Sequence, residues 1–138
     1  MELVSNVKMA SFSSWARNDE KDCVTLMRFD DHLLFCLKQS YGPGITLRMS
    51  FEEAAELGAD IMKLLPSSGR VVPYSERESA RTNRFVPGTN LNIIVNITTQ
   101  GEPFEEGVSL DFSTGDYETN ASIELSTYEA WNLSKALA

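Results

Sequence analysis

"MSFEEAAEL", residues 49–57, and "LSTYEAWNL", residues 125–133, write nearly the same phrase twice at an offset of 76 positions. Ser50 corresponds to Ser126, Glu53 to Glu129, Ala54 to Ala130 and Leu57 to Leu133. Each phrase follows a short β-type run, "ITLRM" at 45–49 and "ASIEL" at 121–125. The shared Ser-x-x-Glu is a capping box. Its serine oxygen accepts from the amide three residues on, and its glutamate reaches back to the serine amide, so two donors that a helix start leaves unpaired are satisfied together. Both phrases are therefore predicted to mark a strand-to-helix junction, which makes Ser50, Glu53, Ser126 and Glu129 structural. Apolar spacing predicts a buried face of Phe51, Ala54, Ala55, Gly58, Ile61, Met62 and Leu65 on the first helix, which Pro66 stops. On the second helix it predicts Ala130, Trp131, Leu133 and Leu137.

Upstream of each helix the apolar period changes to two. The first half contains a possible strand within 5–16 and strands at 22–29, 32–40 and 45–49, with Gly42-Pro43-Gly44 as the turn before the last. The second half contains strands at 91–99, 108–113 and 121–125. The fold class expected is α+β: a duplicated β-β-β-α unit whose antiparallel sheet is packed by two helices. The chain is then a single domain, 1–138, built of two repeats at about 1–66 and 91–138 and joined by an Arg-rich loop at 67–90.

The two halves differ in what their strands bury. In the first, Val24, Leu26, Leu33, Phe35 and Leu37 form one apolar face, and Met27, Phe29, Leu34 and Cys36 form another. A strand pair apolar on both sides needs cover on both sides. If the second face is not covered within the chain, it predicts a homodimer through the 22–40 hairpin. In the second half, Leu91, Ile93, Val95, Ile97, Val108, Leu110 and Phe112 face one way, while the opposite face is polar apart from Ile94 and is expected to be wet.

Composition narrows the functional classes. No apolar run approaches the ~20 residues of a membrane span, and the stretch "MELVSNVKMASFSSW" lacks the basic start and apolar run of a signal peptide. A cytoplasmic location and no membrane partner are expected. Cys23 and Cys36 make no metal-type pair. Pairing the 22–29 and 32–40 strands about Asp30-Asp31 sets Cys36 opposite Thr25 and Cys23 diagonal to it, a poor bridging distance, so reduced thiols are expected. His32 is the one histidine and sits beside Asp30 and Asp31 at a hairpin turn, where aspartate serves the turn. Motifs for nucleotide, dinucleotide or nucleophilic chemistry are missing, so neither an enzyme nor a cofactor is expected.

Charge is unevenly distributed. Residues 1–66 carry 7 cations and 10 acids, residues 67–90 carry 4 arginines and 2 glutamates, and residues 91–138 carry Lys135 against 8 acids. The resulting −7 on the last segment disfavours direct binding to a nucleic-acid backbone and favours a basic protein surface, including that of a nucleic-acid-binding complex. Glu102, Glu105 and Glu106, with Asp116 and Glu118 on the next turn, are the candidate partner-binding patch. The function expected is that of a non-enzymatic acidic interaction protein that inhibits or neutralises a macromolecular partner by steric and electrostatic blocking. Its composition is similar to that of phage anti-defence proteins, anti-CRISPRs among them, and of toxin-immunity proteins. The alternative rests on "SERESARTNR", 75–84. A short helix there would align Arg77, Arg81 and Arg84 on one face able to grip a small phosphorylated ligand.

Overall fold

The period-two runs form strands, and both capped phrases open helices. The computed structural model describes residues 8–14, 22–65, 82–86, 89–100, 105–115 and 120–138. The first sheet is the meander β1 (Lys8–Ser13), β2 (Cys23–Arg28), β3 (Leu33–Lys38) and β4 (Ile45–Met49), followed by α1 (Phe51–Leu64). The second is β5 (Thr82–Phe85), β6 (Asn92–Gln100), β7 (Glu105–Ser113) and β8 (Ala121–Ser126), followed by α2 (Thr127–Leu137). All neighbouring strands are antiparallel. The architecture is α+β, with two four-stranded sheets and two helices.

Each half therefore has four strands where three are expected from the sequence. The N-terminal strand allowed for in the first half is present. In the second, β5 occupies Thr82–Phe85, inside the stretch read as loop. "TNRF" has no apolar alternation, and its half-buried positions, Thr82 and Arg84, are polar. Of the predicted loop, residues 67–81 and 87–88 lie outside the described residues.

Each sheet turns one face inward. Val24, Leu26, Leu33, Phe35, Leu37 and Met49 from the first meet Ile93, Val95, Val108, Leu110, Phe112, Ile123 and Leu125 from the second, and all are buried in one continuous cluster. The rings of Phe35 and Phe112 lie 5.4 Å apart and tilted, and they tie the two sheets together. Thr25 faces Cys36 across the β2–β3 pair, as expected, and both cysteines are free thiols. Gly42, at φ 128°, makes the turn before β4 possible, because a side chain there would be strained.

The helices pack on each other at their smallest residues. Ser134 donates from Oγ to the Gly58 carbonyl at 2.7 Å, with both residues buried. A Cβ built on Gly58 would lie 2.9 Å from the Ser134 carbonyl oxygen and 3.2 Å from Leu137 Cβ. This close approach shifts the buried faces from the expected ones. Leu57, Asp60 and Leu64 are buried on α1 while Ala55 is exposed. On α2, Ser134 is buried and Trp131 is exposed, with the Lys135 ammonium 4.8 Å over its ring. Among the described residues no helix is long and apolar enough to cross a membrane.

Candidate functional site

The inward and outward positions of each sheet follow from strand alternation. On the second sheet the outward set includes Asn83, Phe85, Asn92, Ile94, Asn96, Thr98, Ser109, Asp111, Ser122 and Glu124. This face is polar, as its sequence predicts. Among its described residues alternation places three acidic positions on it, Glu105, Asp111 and Glu124, and no lysine or arginine. Thr98 donates from Oγ1 to Glu124 at 3.1 Å across the sheet. Sequence reasoning counted Asp111 and Glu124 in the acidic 91–138 segment without naming either in the patch. Their signal was the alternation itself, read for wetness and not for charge.

Next to these carboxylates a hollow of about 230 Å³ is lined by Ser14, Asp22, Ser109, Asp111, Ser122, Ile123 and Glu124. One Asp22 carboxylate oxygen already accepts from the Ser40 amide at 2.9 Å and the Ser40 hydroxyl at 3.0 Å. Gln39 Oε1 accepts from the Ser122 amide at 3.0 Å and ties the β3–β4 connection to β8. Among the described residues no group of three or more His, Cys, Asp or Glu is spaced to hold a metal ion.

Of the acidic patch read from the sequence, Glu105 and Glu106 are the first two residues of β7, at the end of the β6–β7 hairpin. The Glu106 carbonyl accepts from the Thr127 hydroxyl at 2.7 Å, which fixes the hairpin end to the start of α2. Glu102, Asp116 and Glu118 lie outside the described residues.

Of the arginines, Arg77 and Arg81 lie outside the described residues, and Arg84 is in a strand instead of the expected helix. Its inward position in β5 aims it at α1. Nε and Nη2 reach Asp60 Oδ2 at 3.1 and 2.8 Å, and Nη1 reaches Glu56 Oε2 at 2.8 Å. The Asp60 side chain is 5% exposed and the Arg84 side chain 37%. A buried carboxylate is held here by a guanidinium fork, the geometry in which Arg outperforms Lys. Sequence could not have paired them, since the partners lie 24 and 28 residues apart on different elements.

At the β2–β3 turn His32 Nδ1 lies 2.6 Å from Asp31 Oδ1, and the ring stacks on Phe29 at 4.7 Å. These two neighbours meet at the turn. The hydrogen bond from His32 holds the Asp31 carboxyl below its usual range, and Arg48 adds a smaller pull. Both groups are engaged with each other on an exposed turn, away from every hollow described above.

No known family model matches the chain, and no curated protein matches it in sequence.

Proposed function

We propose that this chain is a non-catalytic interaction protein that inhibits or neutralises a macromolecular partner by covering a basic surface of it. The observation that carries the reading is the outer face of the second sheet. It is broad, rich in hydrogen-bonding side chains, and holds Asp111 and Glu124 with no cation among its described residues. Its strands β6, β7 and β8 belong to a segment, 91–138, in which eight acids stand against one lysine. Arg84, the arginine of β5 in the same sheet, is engaged with Asp60 and Glu56. A sheet face of this kind attracts cationic surfaces over long range and repels phosphate backbones. The alternative, a phosphorylated ligand held by Arg77, Arg81 and Arg84, would require Arg84 to abandon both carboxylates.

Two structural proposals accompany this reading. The halves are copies of one unit, now β-β-β-β-α. If Met49 is matched to Leu125, as the repeated phrase requires, strand register carries Leu33 to Val108, Val24 to Ile93 and Phe12 to Arg84. The Ser134–Gly58 hydrogen bond joins matched positions of the two helices, which supports a twofold relation between them. The second proposal is self-association through the 22–40 hairpin, whose outward Met27, Leu34 and Cys36 are only half-buried. Sedimentation at micromolar concentration should show a species heavier than 15.4 kDa, and a monomer at all concentrations removes this proposal.

The functional reading is tested by identifying the partner through cross-linking in the native host and measuring association by surface plasmon resonance at two salt concentrations. Association should slow as salt rises. The reversals Glu102→Lys, Glu105→Lys and Glu106→Lys, and separately Asp111→Lys with Glu124→Lys, should lower the on-rate about tenfold or more while circular dichroism stays unchanged. Salt-independent association, or tighter binding to single-stranded DNA or RNA than to any basic protein, sinks the proposal.

A further inference from the structure

The facing edges of the two sheets, β4 and β5, do not pair with each other. Between them, over the first turns of α1, lies an apolar notch of about 90 Å³. Leu47, Met49, Leu57 and Ile93 line it, and Phe85, exposed at 66%, stands on the β5 side with Val86 beside it. The volume suits one aliphatic or aromatic side chain. Its polar lining consists of Glu53, Glu56 and Arg84. Arg84 is shared between Glu56 and Asp60, so two carboxylates meet one guanidinium, and Glu53, whose Oε1 also accepts from the Ser50 amide at 3.5 Å, adds another negative charge to the lining. The notch is therefore a greasy hole in a net-negative surround, and Phe85 makes it continuous with the acidic outer face of the second sheet.

We propose that this notch is an anchor site for a basic polypeptide segment, which inserts one large apolar side chain while a neighbouring lysine or arginine meets Glu53 and Glu56. The inference deepens the functional reading above and rests on it for the cationic character of the partner. The occupant follows from complementarity. An apolar side chain alone would leave the surplus carboxylates unanswered, an acidic segment would be repelled, and a cation without an apolar neighbour would leave the hole unfilled. Filling it is what converts a steered encounter into a long-lived complex, because apolar anchors in closed pockets dominate interface energetics while exposed charge pairs add little.

The test uses the full chain, labelled at Ile, Leu and Met methyls, and the capped pentapeptide Gly-Lys-Leu-Lys-Gly as probe. Titration should move the methyls of Leu57, Met49 and Ile93 in a saturable way. A peptide with serine for leucine should bind about tenfold or more weakly at these methyls. Phe85→Ala, at an exposed site that leaves the fold intact, should weaken the leucine peptide comparably. Glu53→Gln, which keeps the helix cap, should weaken it up to about fivefold. Still methyls at millimolar peptide, or equal binding of the serine peptide, overturn the anchor. If the notch is silent while amides of Asp111 and Glu124 move with either peptide, the anchor fails and the acidic-face reading stands. If the notch responds to a leucine peptide carrying glutamates as well as to the lysine form, the anchor's cationic partner is refuted, and with it the steering reading.

Discussion

Gly58 is where α1 and α2 approach closely, and a single methyl there tests how the helices are held. In an isolated helix Gly→Ala is stabilising by about 1 kcal/mol. Here the added Cβ would sit 2.9 Å from backbone, the Ser134 carbonyl, which cannot rotate away. Overpacking of this kind costs about 1–3 kcal/mol, so it outweighs propensity. Gly58→Ala is expected to lower the urea midpoint, and a raised midpoint would mean that α1 and α2 are not in contact at this residue. Sequence placed Gly58 on the buried face but could not say what it met, because a glycine's reason lies in its neighbour. A second residue-level test concerns Asp31. Its carboxyl titrates below the ordinary range because of His32, so its favourable contribution is complete above the unfolded-state pKa and is lost as pH falls through the lower folded value. His32→Gln should move the Asp31 carbon titration by NMR upward toward the ordinary range. An unmoved curve would assign the shift to Arg48 instead.

At the level of elements, the two capped helices and six of the eight strands could be read from the sequence, and β1 was bracketed, because alternation and capping are local signals. The strand β5 could not be read. It has four residues, no apolar face, and is held from outside by β6 and by the Arg84 fork on α1. Under the proposed duplication, register accounts for its odd composition: Arg84 then stands where β1 places the buried Phe12, and an ion pair would do in one half what an aromatic ring does in the other. Removing the cation should leave Asp60 as an unpaired carboxylate in the interior. Arg84→Ala is therefore expected to cost about 2 kcal/mol, below the 3–5 kcal/mol of a fully buried pair because the arginine is partly wet. Adding Asp60→Ala should recover part of the loss, since no orphan charge remains. Amide exchange in β5 should quicken in the single variant ahead of β2 and β3. If the double variant is less stable than the single one, Asp60 has a role beyond answering Arg84.

The inward faces of both sheets, and both helices, share a single cluster, and α1 packs against α2 and β6 of the other half as well as against its own β4. The candidate site was only partly readable for the same reason. The net charge of 91–138 is a sequence property, but the notch arises where the edge strands of two sheets, β4 and β5, face each other over α1, a placement that no local period encodes. A core shared in this way predicts that neither half unfolds alone. Phe112 touches Phe35 across the sheets, so Phe112→Ala should remove about 3–5 kcal/mol from both halves at once. Amide signals of β2–β3 and of β6–β7 should disappear at the same urea concentration in the parent chain, and should move down together in the variant. Calorimetric and van't Hoff enthalpies should agree. If the first sheet outlasted the second, each half would be a self-sufficient unit and the notch between their edges a boundary between independent bodies. In that case the apolar anchor would have no fixed walls, and Phe85→Ala would leave peptide binding unchanged.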